Sequence, residues 1–192
     1  MTELILAFLL GTRPNVQPTI ASETLEVLEL AQSVWQLFAS PQGDFEILMP
    51  GVPSLTPVVT TTVGNLPVSI EGFVIQRYDN TVQYLVTRID LPEELNTEEV
   101  EPDRLLAAMQ NQIVQQTGGQ VLQEGTVMLD NYPGRELKLE TLEGDRTYVI
   151  TNRLYWVDRK LYQISVTVPQ DIEPSLAGSS AGFLDSFKLV QR

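Results

Sequence analysis

The sequence contains no cysteine and no histidine. The first absence removes disulfides, thiolate nucleophiles and thiolate metal sites, and leaves the redox compartment open. The second removes the commonest general base, the usual partner of a catalytic serine, and the commonest ligand for zinc, copper or non-haem iron. Any bond-making chemistry would fall to carboxylates, tyrosines, lysines and hydroxyls. Basic residues are scarce too: 12 Lys plus Arg stand against 25 Asp plus Glu, giving a formal net charge of −13. Such a field repels phosphate backbones and anionic lipid surfaces. The basic residues are scattered singly, so nucleic acid is not an expected partner. No apolar run reaches the roughly 20 residues that a transmembrane helix needs, and no integral membrane segment is expected. Walker A, dinucleotide-binding and zinc-protease patterns are absent. These absences predict no cofactor, no metal site and no catalytic residue, that is, a protein that is not an enzyme.

What is present suits one soluble domain. A chain of 192 residues with 43% hydrophobic content buries a single core of ordinary size. The first stretch stands apart. Met1-Thr2-Glu3 followed by Leu4 to Gly11 has the length and character of a signal-peptide apolar region, with Thr12 to Ser22 as its cleavage segment, although Glu3 occupies a place where Lys or Arg is usual. The expectation is export, to a periplasm or thylakoid lumen, with a cytoplasmic chain as the alternative. Between Ser22 and Gln32 the pattern fits a short helix (Leu25, Leu28, Ala31) or a strand (Leu25, Val27), and both readings stand. Residues 1–33 are therefore assigned as export signal, linker and short helix, and residues 34–192 as the folded domain.

From Val34 onward, alternation predicts strands. Trp35 to Phe38 and Phe45 to Met49 flank the turn residues Ser40 to Asp44, and Pro50 to Pro53 close the hairpin. Extended runs follow at Pro57 to Val63, Val68 to Arg77 and Thr81 to Asp90, with Tyr78-Asp79-Asn80 turning between the last two. In the last run, Val82, Tyr84, Val86 and Arg88 share a face. The clearest helix runs from Pro102 to Thr117: Pro102 suits its first turn, Asp103 its positive end, and Gly118-Gly119 its end, while Leu105, Met109 and Ile113 with Leu106 and Val114 form the apolar stripe. Strands resume at Gln120 to Leu129, Arg135 to Thr141, Asp145 to Trp156 and Lys160 to Val168, with Asp158-Arg159-Lys160 as a hairpin loop. A last helix covers Pro174 to Phe187, with Phe183, Leu184 and Phe187 on its apolar side. Neighbouring hairpins and two one-sided helices predict an α+β fold, a mostly antiparallel sheet covered by helices.

Two segments invite a functional reading. Glu93, Glu94, Glu98, Glu99, Glu101 and Asp103 crowd the approach to the long helix. They suit either a hard cation such as calcium or a solvated loop at a positive helix end. Asp130 to Glu136 is the most distinctive stretch, because Pro133-Gly134 predicts a tight turn that presents Tyr132 and Arg135 beside it. Tyr132, Arg135 and Glu136 are the candidate binding residues, able to grip a carboxylate or phosphate; a turn whose arginine pairs with an acid at the sheet edge is the structural alternative. Ser186 with Lys188 and Ser165 with Lys160 lack the surroundings of a serine-lysine nucleophile. Trp35, Tyr155, Trp156, Phe183 and Phe187 suit core better than a ligand cage.

Trp35 and Phe38 with Ser40-Pro41, Phe45 to Met49 with Pro50 to Pro53, Tyr132 to Glu136, Tyr162-Gln163-Ile164 and Phe183 to Phe187 occur in an order that resembles a group of uncharacterised bacterial proteins, frequent in photosynthetic bacteria and often exported. More remotely, the chain looks like the α/β/α sandwich shared by the photosystem II extrinsic subunit PsbP and Ran-binding nuclear-import factors. The resemblance implies a PsbP-like sandwich and a noncatalytic binding or assembly-accessory protein that meets a protein partner, linked by analogy to photosynthetic membranes. A carboxylate-based hydrolase of a small substrate and a calcium-responsive module are the alternatives.

Overall fold

The computed structural model describes residues 35–63, 66–92 and 101–190. Two antiparallel sheets and two helices make up this part of the chain. The smaller sheet has the order β1-β2-β11, from Gln36–Ala39, Phe45–Met49 and Lys188–Leu189. The larger has the order β3-β5-β6-β10-β9-β8-β7, with β4 also pairing β5. Its strands are β3 (Ser54–Leu55), β4 (Val59–Val63), β5 (Leu66–Arg77), β6 (Val82–Asp90), β7 (Gln120–Leu129), β8 (Tyr132–Glu143), β9 (Arg146–Val157) and β10 (Lys160–Pro169). Helix α1 (Pro102–Thr117) follows β6, and α2 (Glu173–Asp185) follows β10.

Local chemistry sets the boundaries. In the β1–β2 turn the Ser40 hydroxyl accepts from the Asp44 and Phe45 amides at 2.9 and 3.2 Å, and Gly43 takes a φ of 69° that suits glycine. Helix α1 starts on Pro102 and stops at Gly118, which sits in the left-handed region at φ 59°. Helix α2 ends two residues before the expected Phe187. The Ser186 hydroxyl donates to the Phe183 carbonyl at 2.7 Å and accepts the Leu48 amide at 2.9 Å, so it competes for the last turn and ties it to β2.

The large sheet is covered on both faces. One face, with α1 against β8 and β9, holds Leu106, Ile113, Leu137, Leu139, Ile150, Leu154 and Trp156. The other, beneath α2 and the small sheet, is rich in aromatic rings. Phe45 stands at its centre, fully buried, with ring centroids 5.6 Å from Phe73, 5.8 Å from Tyr162 and 5.3 Å from Phe187. Phe187 also stacks on Tyr155, and Trp35 meets Tyr84 edge-on at 5.6 Å. These aromatics are core; Trp156 lies on the opposite face from Tyr155.

Two local expectations are corrected. The α1 stripe is rotated: Leu106, Gln110 and Ile113 are its buried residues, whereas Leu105, Met109 and Val114 are only partly covered. Gln110 goes inside because its side-chain oxygen accepts from Arg135 Nη1 at 3.2 Å. The turn assigned to Pro133-Gly134 lies instead at Asp130-Asn131, where Asp130 adopts a φ of 52°, a conformation Asp tolerates better than most residues. Pro133 and Gly134 belong to β8, opposite Met128 and Val127. Proline is tolerated there because it sits at a strand start. Gly134 serves close approach: a Cβ on it would lie 2.4 Å from Tyr155 Cδ1 and 2.7 Å from the Leu154 carbonyl oxygen. Gly134→Val is expected to lower stability by about 3 kcal/mol, at the upper end for overpacking, because the backbone oxygen cannot move aside. Urea unfolding measures it, and a loss within error of zero would contradict the packing described.

Candidate functional site

Alternate turns of an antiparallel meander gather at one end of the sheet. The β7–β8 and β9–β10 hairpins, the end of β6 and the start of β2 meet there around an open cleft of about 800 Å³. Asp44, Asp90, Asp130 and Asp158 line it with Arg159, Lys160, Tyr132 and Tyr162, and Leu91, Val157, Leu189 and Val190 supply apolar wall. Asp130 and Asp158 are exposed hairpin residues, each at φ 52°.

Beneath the cleft lies a buried ionic cluster. Arg88 and Glu71 are cross-strand partners on β6 and β5, and Asp90 follows Arg88 by two positions on the same face. Arg88 Nη2 is 3.0 Å from Asp90 Oδ2 and 3.4 Å from Glu71 Oε2, and Nη1 is 2.9 Å from Asp44 Oδ2. Gln42 Nε2 donates to Glu71 Oε1 at 3.2 Å, and Lys160 Nζ stands 3.6 Å from Asp44. One guanidinium thus holds three carboxylates and fastens the small sheet to the large one. The Arg159 guanidinium donates to the Pro92 carbonyl, and the Leu91 amide returns a bond to the Arg159 carbonyl at 3.0 Å. Both cations of the cleft are therefore engaged with their own chain, while Asp130 and Asp158 present negative charge at its rim.

Tyr132, Arg135 and Glu136 do not converge. Tyr132 borders the cleft and packs on the aromatic core. Arg135 points to the α1 face, where Nη2 is 2.8 Å from Asp103 Oδ1. Glu136 points to the α2 face and takes Arg153 Nε at 2.7 Å, while Arg153 Nη1 reaches Asp185 at 2.6 Å. Successive side chains of a strand face opposite ways, which separates residues that sequence spacing places together. Ser186 and Ser165 are not set against Lys188 and Lys160: Ser186 is committed to α2 and β2, and Ser165 and Lys160 lie on opposite faces of β10. Glu93, Glu94, Glu98 and Glu99 lie outside the described residues; of the rest of that acidic run, Asp103 pairs with Arg135. Among the described residues, no group of three or more carboxylates is arranged to hold a metal ion, and no helix is long and apolar enough to cross a membrane.

Comparison with known proteins bears on this architecture. The chain superimposes on the cyanobacterial PsbP protein (CyanoP) of Synechocystis sp. PCC 6803 with a TM-score of 0.56 at 13% identity, over 82% of this chain and 93% of that one. The fold is PsbP-like. LpqN, a protein involved in cell envelope biogenesis of Mycobacterium tuberculosis, is similar with a TM-score of 0.50 at 8% identity, over 81% of this chain and 90% of that one. No family model and no curated protein matches the sequence. Within this PsbP-like fold the cleft belongs to the hairpin ends, where side chains vary without cost to the core.

Arg88→Met is expected to cost about 3–5 kcal/mol, because it leaves the buried Glu71 with Asp44 and Asp90 and no guanidinium. Denaturant titration at neutral pH measures the loss, and a value within error of zero would contradict it. Burial, reinforced by the charge of Asp44, raises the Tyr162 hydroxyl well above the usual tyrosine range, and burial pushes Tyr84 up to about 12. In the unfolded chain both ionise near 10.0, so the folded state keeps protons that the unfolded state releases. Stability should therefore fall as pH rises from about 10 towards 12. Phenolate absorbance that saturates before the fold is lost would refute this.

Proposed function

We propose that this chain is a noncatalytic accessory protein that holds a basic segment of a partner protein at the cleft. The observation that carries the reading is the charge arrangement: Asp130 and Asp158 stand exposed at two adjacent hairpin tips beside Leu91, Val157, Leu189 and Val190, while Lys160 and Arg159 are engaged internally. A lysine or arginine with an apolar neighbour complements that rim, and the net charge of −13 steers it there. The PsbP-like fold supports an accessory or assembly role by analogy. In this reading residues 34–192 are one domain, residues 1–33 direct export to a periplasm or thylakoid lumen, and the partner belongs to an envelope or photosynthetic membrane assembly.

The carboxylates deepest in the cleft do not favour hydrolysis. Asp44 and Asp90 both bind Arg88, so their oxygens are turned to a guanidinium rather than to a substrate across the cleft. Crosslinking in native extract tests the proposal. The wild-type chain should capture a discrete partner whose yield falls at least tenfold with Asp130→Lys/Asp158→Lys, and falls with added salt because rim charges are screened. Capture that is unaffected by charge reversal, or absent altogether, counts against it.

A further inference from the structure

Strand β7 forms one edge of the large sheet, beyond β8. Seven of its ten residues are exposed. Natural edges are usually blunted by short length, proline, lysine or inward charge. Here the strand Gln120–Leu129 is ten residues long, carries one charge, Glu124, and has neither proline nor lysine. Among the described residues its single protective device is a bulge near one end, where Leu122 has no partner on β8. The opposite side of the sheet is finished differently, with the two-residue β3 and five-residue β4 both laid against β5.

Two further features are symmetric about one residue. Leu122 and Met128 are the large apolar side chains that β7 leaves exposed, at 48% and 63%. Gly125 is their midpoint in sequence. Among the described residues nothing calls for glycine there: its φ is not left-handed, and a Cβ on it would meet nothing within 4 Å. Glycine inside a strand weakens the strand, and where the monomer gives no reason for it, it marks the close approach of another backbone.

We propose that β7 pairs antiparallel with β7 of a second copy of this chain, about a two-fold axis through Gly125. In that register Gly125 faces its own counterpart, Leu122 lies across from the second copy's Met128 and Met128 across from its Leu122. Glu124 lies across from the second copy's Thr126, so the one charge of the strand does not meet itself. The edge amides and carbonyls gain partners, the eight-stranded sheet becomes a continuous sheet of two copies, and the interface is isologous. Self-pairing of an acidic chain is opposed at long range and helped by salt, the reverse of the salt response expected at the cleft. The surface lies at the sheet edge, and it is independent of the partner assigned to the hairpin rim.

Sedimentation of the full chain over a concentration series reads the equilibrium. Dimers should form and tighten as salt is raised. Leu122→Glu and Met128→Lys should each weaken the dimer about tenfold, since each change acts twice across the axis. The double variant places glutamate across from lysine twice and should recover most of the loss, which only this register provides. A chain monomeric at every ionic strength overturns the proposal. So does a dimer indifferent to both single changes, or a double variant as weak as the product of the singles.

Discussion

Strand β6 is buried without interruption from Val82 to Ile89. A strand in that position has no solvent side, so every residue must find either an apolar layer or a polar partner. The remaining architecture answers most of that demand, the Thr87 hydroxyl excepted, which is buried with no hydrogen-bond partner among the described residues. On one side Val82, Tyr84 and Val86 join the aromatic layer made by β2 and α2; on the other Ile89 joins the layer shared with α1. Where the first layer ends, the side chain two positions after Val86 is arginine, and it stays inside by gathering Asp44, Glu71 and Asp90. Phe45 and Arg88 thus do one task by different means: both bind the three-stranded sheet to the larger one, the phenylalanine by ring packing and the arginine by charge.

Much of this is legible in the amino-acid sequence. Helix α1, strand β7 and most strand limits follow from periodicity and from turn residues such as Tyr78 to Asn80 and Gly118, since these signals are local. The Pro133-Gly134 reading went astray because a glycine required for a turn and a glycine required for close packing look alike in sequence. The deciding neighbour, Tyr155, arrives from another strand. Strands β3 and β11, with two residues each, carry no period at all.

The cleft was the least legible part. Asp44, Asp90, Asp130 and Asp158 each stand at a strand end, which is visible in the sequence, but the order β6-β10-β9-β8 is what places those ends side by side. Tyr132 was singled out and borders the cleft, whereas Arg135 and Glu136 are spent on α1 and on Arg153. A sheet buried on both faces divides neighbours in sequence between two environments, so a compact motif along a strand seldom remains compact in space.

The middle position of β2 in the small sheet has a temporal meaning. Its two partners come from opposite parts of the folded region: β1 lies just before it, while the contact of Leu48 with Ser186 spans 138 residues. As the chain is made, the β1–β2 hairpin must wait for a segment 138 residues further on before its second edge is occupied. Such long-range closure is slow. The hairpin's apolar underside, Phe45, Ile47 and Met49, therefore has its second edge closed only by β11, a strand distant in sequence.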